Sequence, residues 1–87
     1  MKIKKGFAVR EIAGKSVVIA LGEASKRFNG IIELNDTARL IWDMLVDGAQ
    51  TSEITEAIME RYDADKDTVS ADVERFVASL GEAGILE

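Results

Sequence analysis

Four carboxylates have the spacing of a calcium-binding loop. They are Asp63, Asp65, Asp67 and Glu74, at positions one, three, five and twelve of such a loop. The loop needs glycine at its sixth position for a sharp turn, and this chain has Thr68 there. The same stretch also begins a helical apolar pattern, which a wrapped calcium loop would interrupt. We therefore predict a polar turn with Asp67 as a helix cap, and no metal site.

The chain of 87 residues contains no histidine, no cysteine and no proline. Without histidine or cysteine, thiol catalysis, Ser-His-Asp catalysis, zinc or iron–sulfur binding and disulfide bonding are all excluded. Carboxylates, lysine and tyrosine remain as possible catalysts, but a domain of this size seldom encloses a deep pocket for them. A non-catalytic binding module that uses no cofactor is therefore favoured over an enzyme.

The composition is that of one globular domain, with 47% hydrophobic and 31% charged residues. We expect residues 1–87 to form a single unit. No segment has the apolar length of a membrane helix or the core of a signal peptide, which predicts a cytoplasmic protein. Residues 1–27 hold seven basic and two acidic side chains, whereas residues 28–87 hold four basic and fourteen acidic ones. The pattern predicts a basic front and an acidic back, or simply solvated charge.

The apolar pattern of the first 34 residues is typical of strands. Its runs are β-branched or aromatic and of strand length: 7–9, 17–21 and 28–34. Turn-like separators at 13–15 and 22–26 predict a three-stranded antiparallel meander. In the third strand, alternation places Phe28, Ile32 and Leu34 on one face. Asn29, Ile31 and Glu33 then lie on the opposite face.

After Leu34 the apolar spacing becomes helical. Asn35 is a good cap for a first helix, Thr51 or Ser52 for a second, and Asp67 for a third. The apolar stripes are Ala38, Ile41, Trp42 and Leu45, then Ile54, Ala57, Ile58 and Tyr62, then Val69, Val73, Phe76, Leu80 and Ala83. Trp42 and Tyr62 are both predicted in the core. The class is α+β, with a three-stranded antiparallel sheet followed by three helices, which suggests a winged helix-turn-helix.

A sheet of three strands leaves two edges unpaired. Lys4, Lys5 and Arg10 flank the first strand and discourage pairing with another chain. The third strand has only Arg27 and Glu33 as charged neighbours. It is therefore the edge that we expect to be used for binding.

The winged-helix topology also raises DNA binding as an alternative. A DNA-reading third helix should expose Arg, Lys, Asn or Gln. The exposed candidates here are Thr68, Ser70, Asp72, Glu74 and Arg75. Two of these are acidic and would repel phosphates, which disfavours the alternative. A third hypothesis is an interaction domain whose partner is a folded protein.

Several features of the chain occur together in a known family. They are Leu34-Asn35, Ile41-Trp42 with Leu45, Gly48 and Thr51, the turn Tyr62-Asp63-Ala64-Asp65, then Val69, Asp72-Val73, Phe76, Leu80 and Ala83-Gly84-Ile85-Leu86. From Gly6 to Leu86 the chain resembles the PqqD family, named for protein D of pyrroloquinoline quinone biosynthesis. The resemblance implies a winged helix-turn-helix of three strands and three helices.

The resemblance also implies a function. Such a protein is a peptide chaperone, or recognition element, for ribosomally made and later modified peptides. The leader of the precursor adds as a strand to the third strand, in a groove made with the third helix. A modifying enzyme, often of the radical S-adenosylmethionine (SAM) type, then acts on the peptide. The implied partners are thus a leader peptide and that enzyme, with no nucleic acid and no membrane.

The residues implied to contact the peptide lie on the third strand and the third helix. They are Phe28, Asn29, Ile31, Glu33, Leu34, Val69, Asp72, Val73 and Phe76. For Val73 and Phe76, the apolar stripe favours a core position over peptide contact. The oligomeric state is left open between monomer and dimer.

Overall fold

The strands of the sheet follow one another along the chain, and the three helices come after them. A computed structural model describes residues 2–27 and 30–87. Its elements are β1 (Phe7–Ile12), β2 (Lys15–Ala20), a short 3₁₀-helix (Gly22–Lys26), β3 (Ile32–Leu34), α1 (Asp36–Val46), α2 (Thr51–Arg61) and α3 (Lys66–Glu82). The prediction of an α+β winged helix-turn-helix with an antiparallel three-stranded sheet is confirmed.

The sheet has the strand order β1-β2-β3, so that β2 is central and β3 lies at an edge. Ala13 and Gly14 form the two-residue turn between β1 and β2, with φ of 53° and 79°. Two successive positive φ angles are the requirement of a type I′ hairpin, and Gly14 adopts such an angle without steric cost. The turn fixes the register in which Ile12 faces Lys15.

Two expectations about the sheet need correction. The third strand was expected over residues 28–34, but the extended ladder covers only Ile32–Leu34, and Phe28 and Asn29 lie outside the described residues. The separator expected as a turn at 22–26 is a 3₁₀-helix, closed by a hydrogen bond from the Arg27 N–H to the Ala24 carbonyl. Within this 3₁₀-helix the side chain of Ala24 is buried, so the connection packs against the rest of the protein.

Each helix begins with a side chain that accepts a main-chain hydrogen bond. Asn35 caps α1 as predicted, by accepting from the Ala38 N–H at 2.8 Å. The predicted caps of the other two helices are wrong by one or two residues. Gln50 caps α2 in a reciprocal box with Glu53, and Asp65 caps α3. The sequence offers several adjacent capping side chains at both places, so local propensity does not choose between them.

The helices cover one face of the sheet with an apolar core. Val18 and Leu34 contribute from the strands, Ile85 from the segment after α3, and the helices contribute Ile41, Trp42, Leu45, Ile54, Ile58, Val69, Val73 and Leu80. The predicted core position of Trp42 is confirmed. That of Tyr62 is wrong, because Tyr62 is the residue that ends α2 and its side chain is 39% exposed. Tyr62 has extended φ and ψ angles, so its side chain no longer follows the helical spacing that would place it with the buried residues of α2.

The two ends of the described chain meet beside the sheet. Ile3 pairs with Leu86 in an isolated antiparallel bridge, and the Lys4 N–H donates to the Ile85 carbonyl at 2.7 Å. This pairing holds the segment after α3 against the start of β1. In the part of the chain that the structure describes, no helix combines the length and the apolar character needed to cross a membrane.

Candidate functional site

The outer edge of β3 presents main-chain groups that the sheet does not use. In a type I′ hairpin the closing pair, Ile12 and Lys15, exchanges hydrogen bonds, so odd-numbered residues of β2 bond toward β1. The Leu21 N–H accordingly donates to the Gly6 carbonyl at 2.6 Å. Even-numbered residues of β2 then bond toward β3, where their partners are Ile32 and Leu34. The N–H and C=O of Glu33 therefore point away from the sheet.

The side chains on the face of β3 that points away from the helices are accessible to solvent. Ile31 is 66% exposed, and Glu33 is exposed and forms an ion pair with Lys15 at 3.5 Å. Both side chains alternate with Ile32 and Leu34, which face the helices. Because the pair of Glu33 and Lys15 is solvated, its charges are screened and it is easily displaced.

A groove lies where the start of α1 approaches α3. It has a volume of about 470 Å³. The start of α1 follows β3 directly, so the groove continues the open edge of the sheet toward α3. The groove is lined by Asn35, Thr37, Ala38, Ile41, Asp72, Arg75, Phe76 and Ser79.

The groove combines an apolar floor with a polar rim. Phe76 is half-buried and packs against the core, which leaves part of its ring to face the groove. On the rim, Arg75 donates to Asp72 at 3.0 Å, and the Ser79 hydroxyl donates to the Phe76 carbonyl at 2.7 Å. Such a surface suits an extended peptide: the apolar floor can contact an apolar side chain, and the polar rim can form hydrogen bonds with the main chain of the peptide.

Two of the predicted site residues, Asp72 and Phe76, line this groove. Leu34 lies beside it in β3, with its side chain only 4% exposed. Val69 and Val73 belong to the core beneath the groove, and Val73 has no exposed surface. The predicted positions Phe28 and Asn29 lie outside the described residues.

Sequence reasoning missed part of the groove. Arg75 and Ser79 extend the row of Asp72 and Phe76 along α3, with spacings of three and four residues. This row lies next to the buried stripe of α3. Its helical spacing was the only feature of the sequence that could have assigned Arg75 and Ser79 to the site. Thr37 and Asn35 join the site through the packing of α1 against α3, which no local pattern indicates.

Arg39 joins α1 to β1 and β2 on the side of the sheet that faces the helices. Its guanidinium donates to Asp43 at 3.1 Å, to Glu11 at 3.2 Å and to Ser16 at 3.2 Å. The hydrogen bond that Arg39 donates to Asp43 raises the pKa of Arg39, with smaller contributions from the charges of Asp43 and Glu11. Ser16 faces Leu34 across the ladder, so this network supports the strand that carries the open edge.

One of the aspartates with calcium-loop spacing, Asp65, caps a helix. The Asp65 carboxylate accepts from the N–H and the hydroxyl of Thr68, at 3.1 and 3.2 Å, and so starts α3. Asp67 lies within the helix. Among residues 2–27 and 30–87, no three His, Cys, Asp or Glu side chains are grouped as metal ligands would be.

The charge of α3 does not favour a nucleic-acid interface. The helix carries four acidic and two basic side chains. Asp72 and Glu74 are exposed, and Arg75 is paired with Asp72. A phosphate backbone on this helix would meet more carboxylates than cations.

Two solved structures resemble the chain over nearly its whole length. One is described as TbiB1 in complex with the TbiA(β) leader peptide. It is 28% identical, with a TM-score of 0.80, and the match covers 100% of this chain and 95% of that one. The other is lasso peptide synthetase B1 complexed with the leader peptide, at 22% identity and a TM-score of 0.79, covering 99% and 95%. At that identity the second likeness concerns the fold alone.

No curated protein matches the sequence significantly. The family model described as coenzyme PQQ synthesis protein D (PqqD) matches residues 10–86, which include all three helices, β2, β3 and the second half of β1. This match and the winged helix-turn-helix architecture agree with the resemblance seen in the sequence. The chain belongs to the PqqD family.

Proposed function

We propose that this protein is a non-catalytic recognition element, which binds the leader of a ribosomally made precursor peptide as an added strand along β3. The observation that carries the proposal is the open edge of β3 beside the groove of α1 and α3, with the outward N–H and C=O of Glu33. The likeness to a protein solved with its leader peptide supports it.

Main-chain pairing supplies affinity that depends little on sequence. Each new hydrogen bond at the edge contributes about 1 kcal/mol, because it replaces bonds to water. An extended peptide opposite Ile31 to Leu34 would alternate its side chains between the solvent and the groove. Selectivity then comes from the side chains that enter the groove, where Phe76 and Ala38 provide apolar contact and Arg75 a charge.

The protein has no side-chain set for covalent chemistry on the peptide. Its sequence lacks histidine and cysteine, and the groove polar groups are an ion pair, hydroxyls and a capping amide. The chemical step therefore belongs to a partner enzyme. We infer an enzyme of the radical SAM type, as the family resemblance implies, with the single unit of residues 1–87 presenting the peptide to it.

A titration of the ¹⁵N-labelled protein with the leader segment of the precursor encoded beside its gene tests this function. We expect amide shifts at Ile31 to Leu34 and along the row Asp72 to Ser79. A matched leader that is N-methylated at alternate peptide bonds on its pairing edge should bind at least tenfold more weakly, because it cannot donate to the strand. Shifts confined to β1, or equal binding of both leaders, would contradict strand addition at β3.

A further inference from the structure

A second, smaller cavity lies at the end of α3. Its volume is about 160 Å³, and the two residues that directly follow the helix form one of its walls. The other walls come from the start of β1 and from the 3₁₀-helix after β2. The lining residues are Lys4, Lys5, Phe7, Ala24, Arg27, Ala83 and Gly84.

The cavity is strongly positive. In the described residues, none of Lys4, Lys5 and Arg27 forms an ion pair, whereas Lys15, Lys26, Arg39 and Arg75 do. Glu82 and Glu87 lie close in sequence to the cavity residues Ala83 and Gly84, but within residues 2–27 and 30–87 neither forms an ion pair with the three cations. The carboxyl end of α3 adds only about half a negative charge. Three full positive charges therefore outweigh it.

The backbone that carries these cations is held in place. The Lys4 N–H donates to the Ile85 carbonyl at 2.7 Å, and Gly6 packs directly on the 3₁₀-helix. With φ of +97°, Gly6 would bring an added Cβ within 2.9 Å of the Ala24 Cβ, so only glycine fits this contact. Lys5 is thereby fixed beside the segment that ends at Arg27.

The cavity continues the groove of the proposed peptide site. Residues 72, 76, 79 and 83 follow one another at spacings of four, three and four, and Arg75 comes three residues after Asp72, so they share one side of α3 and of the residue that follows it. From Asp72 to Ala83 the helix rises about 16 Å, at 1.5 Å per residue. An extended peptide covers that distance in about five residues. A peptide that fills the groove therefore reaches the cations with its next residues.

We propose that Lys4, Lys5 and Arg27 bind an acidic segment of the leader peptide, which directly flanks the part that pairs with β3. This proposal rests on the proposed function and adds the chemistry of the peptide: an apolar strand segment followed on one side by Asp or Glu. The cations are confined to one small cavity at the end of a strand-sized groove. A nucleic acid would require a longer row of cations and would meet the carboxylates of α3.

Synthetic hexaglutamate is the probe, with hexalysine as its control, each titrated into the full ¹⁵N-labelled chain at 50 mM salt. Hexaglutamate should shift the amides of Lys5, Arg27 and Gly84, and hexalysine should leave them unchanged. The shifts should weaken as salt rises, because the contacts are solvated charges. The absence of hexaglutamate shifts at these amides would overturn the proposal, whether or not the leader binds at β3.

Two double variants with equal changes of net charge make the test specific. Lys4→Glu with Lys5→Glu should weaken hexaglutamate binding about tenfold, since two favourable charge contacts become repulsive. Arg10→Glu with Lys66→Glu, away from the cavity, should change it less than twofold. Equal weakening by both variants would overturn the proposal. Tighter binding of a random DNA duplex than of hexaglutamate, lost in the first variant, would also overturn it.

Discussion

Val17 and Glu33 face each other across β2 and β3 as a pair that exchanges no main-chain hydrogen bonds. The type I′ turn sets this alternation through the register of β1 and β2. Its consequence is that the main-chain groups of Glu33 point to the open edge, next to the groove between α1 and α3. A turn at one end of the sheet thus decides which residue of β3 can bind an added strand.

Glu33→Pro should weaken leader binding five- to tenfold. Proline removes the one outward N–H of β3 and leaves the bonds of Ile32 and Leu34 to β2 intact. The loss corresponds to about 1 kcal/mol for one hydrogen bond. Fluorescence anisotropy with labelled leader measures it. Glu33→Ala is the matched control, because it removes the same carboxylate and keeps the N–H. An equal loss in both variants would assign the effect to the side chain.

Ser79→Trp should block the groove and reduce leader affinity by more than tenfold. Ser79 is exposed and lines the groove, so an indole there fills space without entering the core. Ala78→Trp places the same ring on exposed surface of α3 that is turned about 100° away from Ser79, outside the residues that line the groove, and should leave affinity unchanged within twofold. Isothermal titration calorimetry compares the two. A similar loss for Ala78→Trp would show that the groove is not the site.

Val73→Ala and Phe76→Ala should have opposite effects on stability and binding. Val73 is fully buried, so its truncation should lower the free energy of unfolding by about 2 kcal/mol and leave leader affinity nearly unchanged. Phe76 is half-buried at the groove, and its truncation should weaken the leader about tenfold. Urea unfolding and anisotropy separate the two quantities. A large binding loss for Val73→Ala would contradict its assignment to the core.

Asp65→Ala should lower the free energy of unfolding by about 1 kcal/mol, because it removes the cap of α3. Asp67→Ala should cost only about 0.3 kcal/mol, since Asp67 interacts with the helix dipole alone. Asp65→Asn, which retains a capping oxygen, should be close to the original protein. Thermal unfolding measures all three. A larger loss of unfolding free energy for Asp67→Ala than for Asp65→Ala would contradict the assignment of Asp65 as the cap and favour Asp67.

Local periodicity predicted the elements that repeat regularly. The stripe of α1, the stripe of α3 as far as Leu80 and the alternation of Ile32 with Glu33 correspond to faces that the structure buries or exposes, whereas Ala83, the last residue of the predicted stripe, is exposed. The caps of α2 and α3 were misplaced because neighbouring side chains can each accept the same hydrogen bond. Tyr62 was assigned to the core because the pattern does not reveal where the helix ends.

Long-range packing could not be predicted from these patterns. The bridge of Ile3 with Leu86 joins the two ends of the described chain, and nothing local to either residue specifies it. The groove forms because α1 starts next to α3, so Thr37 and Ser79 become neighbours of one cavity. The cavity of Lys4, Lys5 and Arg27 likewise depends on a long-range contact, the close packing of Gly6 against Ala24.

Amide hydrogen exchange at Glu33, with and without the leader, tests strand addition most directly. In the free protein the Glu33 N–H should exchange rapidly because it points to solvent, while those of Ile32 and Leu34 are protected by β2. With saturating leader, exchange at Glu33 should slow at least tenfold, whereas the neighbouring amides should change little. Leader binding that leaves the exchange of Glu33 unchanged would contradict strand addition at β3.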